Sequence, residues 1–217
     1  MPNFATLADA VAYYNSKLQT KIHVELEICR YLIHDPCFTP QEIANALLRC
    51  KHQFRLPNTK KNALINALAT HCPWRRTYRD FEELYESICS LFAAAKIGAE
   101  LTRYDVAKRI GYALGCPPVT TVYLWADPYD NAGMLLAAGL RKRHKMPVSA
   151  FAMPLALLGA LDIEHFACII GYDKETGRWN LPEHIPHRFS YNIIPTGSTQ
   201  TLRSKIVDKY TLFKGLI

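Results

Sequence analysis

Residues 81–95 carry their apolar side chains, Phe81, Leu84, Tyr85, Ile88, Leu91, Phe92 and Ala95, in a 3-4-3 pattern. That spacing lays them along one face of an α-helix and leaves Glu82, Glu83 and Glu86 on the other. A stripe of this width is unstable in water until other elements cover it. This part of the chain is therefore committed to a packed helical core, and its neighbours must supply the partners.

Start signals place those partners. Thr39-Pro40-Gln41-Glu42 is a capping box with proline at the first helical position, where its missing N–H costs nothing. Thr77-Tyr78-Arg79-Asp80 opens the striped helix in a similar way. Periodicity predicts further helices over 7–18, 21–33 and 59–69, and another near 162–170 with Ile163, Phe166, Ala167 and Ile170 inside. Asp127-Pro128-Tyr129-Asp130 opens one more, running towards Arg141, with two carboxylates that suit the helix dipole. The pattern then changes. Tyr172 and Trp179 flank Asp173-Lys174-Glu175-Thr176-Gly177-Arg178, the signature of a β-hairpin with glycine at the positive-φ position. Beyond it Pro182, Pro186, Pro195 and Gly197 interrupt regular structure. The expected fold is mainly α, a multi-helix bundle over residues 1–170. A C-terminal β-hairpin and extended arm follow over 171–217.

Several function classes find no support. No apolar run reaches the roughly 18 residues of a membrane span, and 150–160, the nearest candidate, contains Pro154 and Gly159. The first residues lack the basic start and apolar stretch of a secretion signal. The seven cysteines are odd in number and form no CxxC, so reduced thiols in a cytoplasmic protein are expected. The close pairs Cys50/His52, His71/Cys72, His165/Cys168 and His184/His187 lack the spacing of structural zinc, the last two being the better candidates. No metal or other cofactor is expected. Cys72, between His71 and the basic pair Arg75-Arg76, is the nearest thing to a cysteine nucleophile, but a helix-end packing role accounts for it as well. No phosphate loop, nucleophile elbow or HExxH motif occurs, so no catalytic residue is assigned.

Charge is more informative. The formal net charge is +7, and residues 43–79 hold eight Lys or Arg with no acid: Arg49, Lys51, Arg55, Lys60, Lys61, Arg75, Arg76 and Arg79. A second acid-free cluster comprises Arg141, Lys142, Arg143 and Lys145. Such fields attract polyanions, and nucleic acid is the commonest. Phe54, Trp74 and Tyr78 interleave with the first cluster, as rings and guanidiniums do in single-strand sites. Trp74 and Tyr78 serve equally well as core anchors.

The stretch 96–118, KIGAELTRYDVAKRIGYALGCPP, adds a local motif. Thr102-Arg103-Tyr104-Asp105 reads as a capping box that starts a helix at Arg103, with Val106, Ala107, Ile110, Ala113 and Leu114 inside and Lys108 and Arg109 outside. The turn before it, with Gly98, presents free backbone N–H groups at a helix N-terminus. Ile97-Gly98, Leu101-Thr102 and Ala113-Leu114-Gly115, with a further segment through Val122-Tyr123-Leu124, resemble the helix-hairpin-helix element of base-excision DNA glycosylases. The resemblance covers residues 92–140. It implies DNA-backbone binding, with Lys96, Gly98, Arg103 and Lys108 bordering the hairpin. The chain departs from the family where chemistry would lie, with Leu101 at the lysine nucleophile and Val122-Tyr123-Leu124 at the catalytic aspartate. It also has one glycine where the family has two, and Glu100 beside the phosphate seat. The wider run to the Asp162–Ile169 motif DIEHFACI also resembles uncharacterised bacterial proteins. The residues expected to meet nucleic acid are Arg49, Lys51, Arg55, Lys60, Lys61, Trp74, Arg75, Arg76, Lys96, Gly98, Arg103 and Lys108, with DNA preferred over RNA. Two alternatives stay open: an adaptor whose basic face meets an acidic protein partner, and an enzyme whose site is dispersed along the chain.

Overall fold

The computed structural model describes residues 2–48, 56–97, 100–124, 144–173 and 175–181. Seven α-helices and a small amount of antiparallel sheet account for them. Two compact units emerge: one from the described residues of 1–24 and 118–189, the other from those of 25–117.

The first unit opens with strand β1 (Asn3–Phe4) and helix α1 (Leu7–Tyr13). Thr6 caps α1 in a reciprocal box with Asp9, whose backbone N–H donates to the threonine hydroxyl at 3.1 Å. The helix does not stop at Tyr13. It widens into a single π-helical turn (Tyr14–Leu18), in which the Gln19 N–H donates to the Tyr14 carbonyl, and continues as α2 (Gln19–His34). Strands β2 (Thr121–Leu124) and β3 (His144–Pro147) pair antiparallel, with Val122 opposite Met146. Two 3-10 turns, Val148–Ala150 and Leu155–Leu158, lead to helix α7 (Gly159–Ile169). The hairpin β4 (Gly171–Asp173) and β5 (Arg178–Asn180) forms as the sequence predicts, with Gly177 at φ 66° and Asp173 accepting from Thr176 Oγ1 at 2.6 Å. β5 also pairs with β1, giving the order β1-β5-β4. Tyr14, Val122, Phe151, Ile163, Phe166, Ile170 and Trp179 are among the side chains of this unit's core.

The second unit is helical: the later part of α2, then α3 (Pro40–Leu48), α4 (Asn58–His71), α5 (Phe81–Ala94) and α6 (Glu100–Leu114). α3 starts at the expected box, Thr39 N–H donating to Glu42 Oε2 at 2.8 Å and Glu42 N–H to Thr39 Oγ1 at 3.2 Å. α5 buries Phe81, Leu84, Tyr85, Ile88 and Phe92, but its cap is Asp80 rather than Thr77, accepting from Glu83 N–H at 2.9 Å. α4 ends at Cys72, left-handed at φ 44°, and a 3-10 turn (Pro73–Arg75) turns the chain towards α5.

Two expectations are corrected. α6 begins at Glu100, so Thr102 lies inside the helix and is buried rather than capping it. Lys108 and Arg109, placed outside by amphipathic reasoning, are buried too, because α6 is enclosed on nearly every side. Lys108 Nζ pairs with Asp105 at 3.2 Å and lies over the Tyr104 ring. Arg109, 0% exposed, pairs with Glu25 and donates to the Leu47 carbonyl at 2.9 Å. Val122, Tyr123 and Leu124, the further segment of the resemblance, lie in β2. The helix expected after Asp127 and the arm beyond 181 lie outside the described residues.

Candidate functional site

Within the first unit, polar side chains from three places converge in a mostly apolar core. α7 supplies Asp162 and His165, which share a face because they are three residues apart. The π turn and the start of α2 supply Tyr14, Gln19 and His23. The Tyr14 hydroxyl donates to Asp162 Oδ1 at 2.6 Å and Gln19 Nε2 donates to Oδ2 at 2.8 Å. His23 Nε2 lies 2.9 Å from Oδ1. His165 turns Nδ1 towards the same Oδ1 at 3.9 Å and Nε2 towards Glu164 Oε2 at 3.6 Å. Glu164, also buried, accepts from Cys168 Sγ at 3.2 Å. The two imidazole rings stand 6.3 Å apart in an edge-on arrangement.

Electrostatics keep Asp162 an anion. Burial opposes ionisation, but the neighbouring His165 imidazole and the donors His23, Tyr14 and Gln19 outweigh it and hold the carboxyl far below the usual range. The Tyr14 phenol is pushed the other way, by burial first and then by the Asp162 charge, so it remains a donor. The result is a carboxylate with both oxygens fixed, flanked by two imidazoles.

The residues singled out for nucleic acid are placed as follows. Lys60, Arg75, Arg76 and Lys96 are exposed. Lys61 and Lys108 are 6% exposed and Trp74 is 4% exposed, so two ammonium groups and one ring are withdrawn from the surface. The expectation that Lys61 shares an open basic face is thereby corrected: it falls on the inner side of α4 with Leu64, Ile65 and Leu68. Arg103 is half-buried and donates from Nη2 to the Ile97 carbonyl at 3.1 Å, folding back over its own turn. Tyr78 anchors the 3-10 turn by donating to the Pro73 carbonyl at 3.0 Å. Arg49, Lys51, Arg55 and Gly98 lie outside the described residues. In the second basic cluster, Lys145 is exposed and lies 5.0 Å over the Tyr123 ring.

At the end of α5, Ala95 is the cap and Lys96 takes the left-handed conformation at φ 56°. The helix that follows starts with the Glu100 carboxylate in its first turn, which favours the dipole and disfavours a phosphate there.

Reading the sequence alone paired His165 with Cys168 and overlooked Asp162 and His23. The legible signal was Asp162 and His165 at i,i+3 on an apolar helix, an expensive place for a carboxylate without partners. Nothing in spacing links them to His23, 139 positions away. Comparison with family models, curated proteins and solved structures finds no match for this chain.

Proposed function

We propose that the chain is a cytoplasmic nucleic-acid-associated protein that contacts the phosphate backbone, DNA in preference to RNA, through exposed cations of its helical unit. One observation carries this reading. Within the acid-free segment 43–79, Lys60, Arg75 and Arg76 are exposed and form no ion pair with any described residue. The left-handed turn at Cys72 and the buried Trp74 ring fix the backbone that carries the arginine pair outward. Arginine forks suit phosphate oxygens, and contacts of this kind bind without sequence preference. The preference for DNA rests on the helix-hairpin-helix resemblance alone.

Fluorescence anisotropy with mixed-sequence duplex and single strands tests it. Arg75→Ala with Arg76→Ala should weaken binding to all sequences alike and flatten the slope of log K against log salt by about one unit per lost contact. Absence of binding to either form at low salt would overturn the reading. Binding to an acidic protein surface but not to nucleic acid would favour the adaptor instead. Base release is not expected, and its appearance on damaged duplexes above a heat-inactivated control would count against the family departures at Leu101 and Val122–Leu124.

A second reading, an enzyme with a dispersed site, is favoured by the convergence of His23, Asp162 and His165 from distant parts of the chain.

A further inference from the structure

The geometry points to a divalent transition-metal site made by His23, Asp162 and His165, a reading independent of nucleic-acid binding. One ligand atom from each of the three lies within 4.8 Å of the other two. Ligands about 2.1 Å from a common ion stand about 3.4 Å apart in a tetrahedral shell and from about 3 Å (adjacent) to about 4.2 Å (opposite) in an octahedral one. The His23 Nε2 to Asp162 Oδ1 distance of 2.9 Å and the His165 Nδ1 to Oδ1 distance of 3.9 Å fall in that window. The second of these is too long for a hydrogen bond, and the buried His165 Nδ1 faces the carboxylate across that gap.

The surroundings match what a bound ion needs. Metal-ligating histidines generally turn their other nitrogen to a carboxylate, which orients the ring and raises its basicity. His165 does so: Nδ1 faces Asp162 while Nε2 faces Glu164 Oε2 at 3.6 Å. Tyr14 and Gln19 hold the two Asp162 oxygens through donors that carry no charge of their own. They orient the carboxylate without neutralising it. Asp162 offers an anionic oxygen to such an ion, and the Glu164 carboxyl stands beside His165. His23 binds as the tautomer with its proton on Nδ1, giving up the Nε2 contact with Asp162.

The donor set selects the ion class. Two imidazole nitrogens and one carboxylate suit Zn²⁺, Co²⁺ or Fe²⁺, whereas Mg²⁺ and Ca²⁺ favour all-oxygen shells. Three protein ligands leave at least one coordination position for water or another small ligand.

The test uses the full chain, stripped with a chelator and titrated with Co²⁺. One Co²⁺ per chain should bind, with visible d–d absorption and no near-ultraviolet thiolate-to-cobalt band, and Zn²⁺ but not Mg²⁺ should displace it. His23→Ala, chosen because that side chain is half-exposed, should weaken Co²⁺ binding at least about 100-fold, and Glu164→Gln by about 10- to 100-fold. Circular dichroism of each metal-free variant checks its fold. If His23→Ala fails to fold, histidine ring ¹⁵N shifts of the wild-type chain on adding Zn²⁺ decide: two perturbed rings support the site and fewer overturn it. No saturable binding, equal affinity in His23→Ala, or a thiolate band abolished by cysteine substitution would leave a hydrogen-bonded polar core only.

Discussion

Both units bury charge, and they do so by opposite means. In the helical unit, Arg109 is enclosed in α6, but its guanidinium meets the Glu25 carboxylate and the Leu47 carbonyl. Cation meets anion, so the arrangement is electrically closed. In the other unit the buried anion Asp162 meets a phenol, an amide and two imidazoles. Hydrogen bonds stabilise it, yet among the described residues no permanently charged side chain answers it directly. The lesson is that burial alone does not mark a functional charge. A fixed counter-charge points to architecture, and an anion surrounded by neutral or titratable donors points to a place where a cation can enter.

The largest expected effect tests the closed arrangement. Arg109→Met leaves Glu25 and the Leu47 carbonyl without the guanidinium, and breaking a buried pair of this kind costs about 3–5 kcal/mol. Urea unfolding measures it. Adding Glu25→Leu should recover part of the loss, since removing both charges is far cheaper than removing one. A cost for the single change near that of a surface substitution would break the comparison.

A smaller effect is expected at the open arrangement. Tyr14→Phe removes one neutral donor to an ionised acceptor, a change of about 2 kcal/mol, while the other donors keep Asp162 anionic. The same variant should weaken Co²⁺ binding less than His23→Ala does, because Tyr14 orients a ligand and is not one. Loss of stability equal to that of Arg109→Met would mean that the two clusters play the same part.

An effect confined to alkaline pH, and absent at neutral pH, concerns Cys29, which lies in the field of Arg109. Burial raises its thiol from the usual 9.0 to about 12, with Arg109 pulling the other way and Glu25 adding to the rise. A thiol with a raised value in the fold contributes fully below about pH 9. That contribution is lost as pH rises through about 12, because the unfolded chain ionises first. Stability should therefore decline over that window. Thiol labelling should modify the exposed Cys37 readily in native protein and reach Cys29 only on unfolding. Rapid labelling of Cys29 at neutral pH would show that the Arg109 surroundings are open to water.

What could be read from sequence follows the same division. α5 was legible because it has one buried face and one wet face, the case for which periodicity works. α6 was misread because it is buried nearly all round. Threonine and aspartate at 102 and 105 match a capping box, but in an enclosed helix they are interior groups, and the helix starts earlier at Glu100. β2 and β3 escaped notice because the strands are short and their partners are far apart in the chain. The hairpin at Gly177 was legible because turn chemistry is local. The Asp162 cluster was only half legible: the i,i+3 pair on α7 is a local pattern, while Tyr14, Gln19 and His23 reach it through tertiary folding alone.

The widened turn at Tyr14–Leu18 gives that folding its register. At about 100° per residue, an unbroken α-helix would set Gln19 about 140° away from Tyr14, and the two could not grip the same carboxylate. The π turn lines up residues five apart, so Tyr14 and Gln19 come onto one side, with His23 one ordinary turn further on. Asn15, Ser16 and Lys17 form the exposed side of that loop of helix. Deleting one of them would place Tyr14 and Gln19 four apart in a plain α-helix, about 40° out of line and still facing Asp162. The turn thus behaves as an absorbed one-residue insertion. The chain can lose the extra residue and keep the alignment, but it cannot keep the residue and straighten the helix.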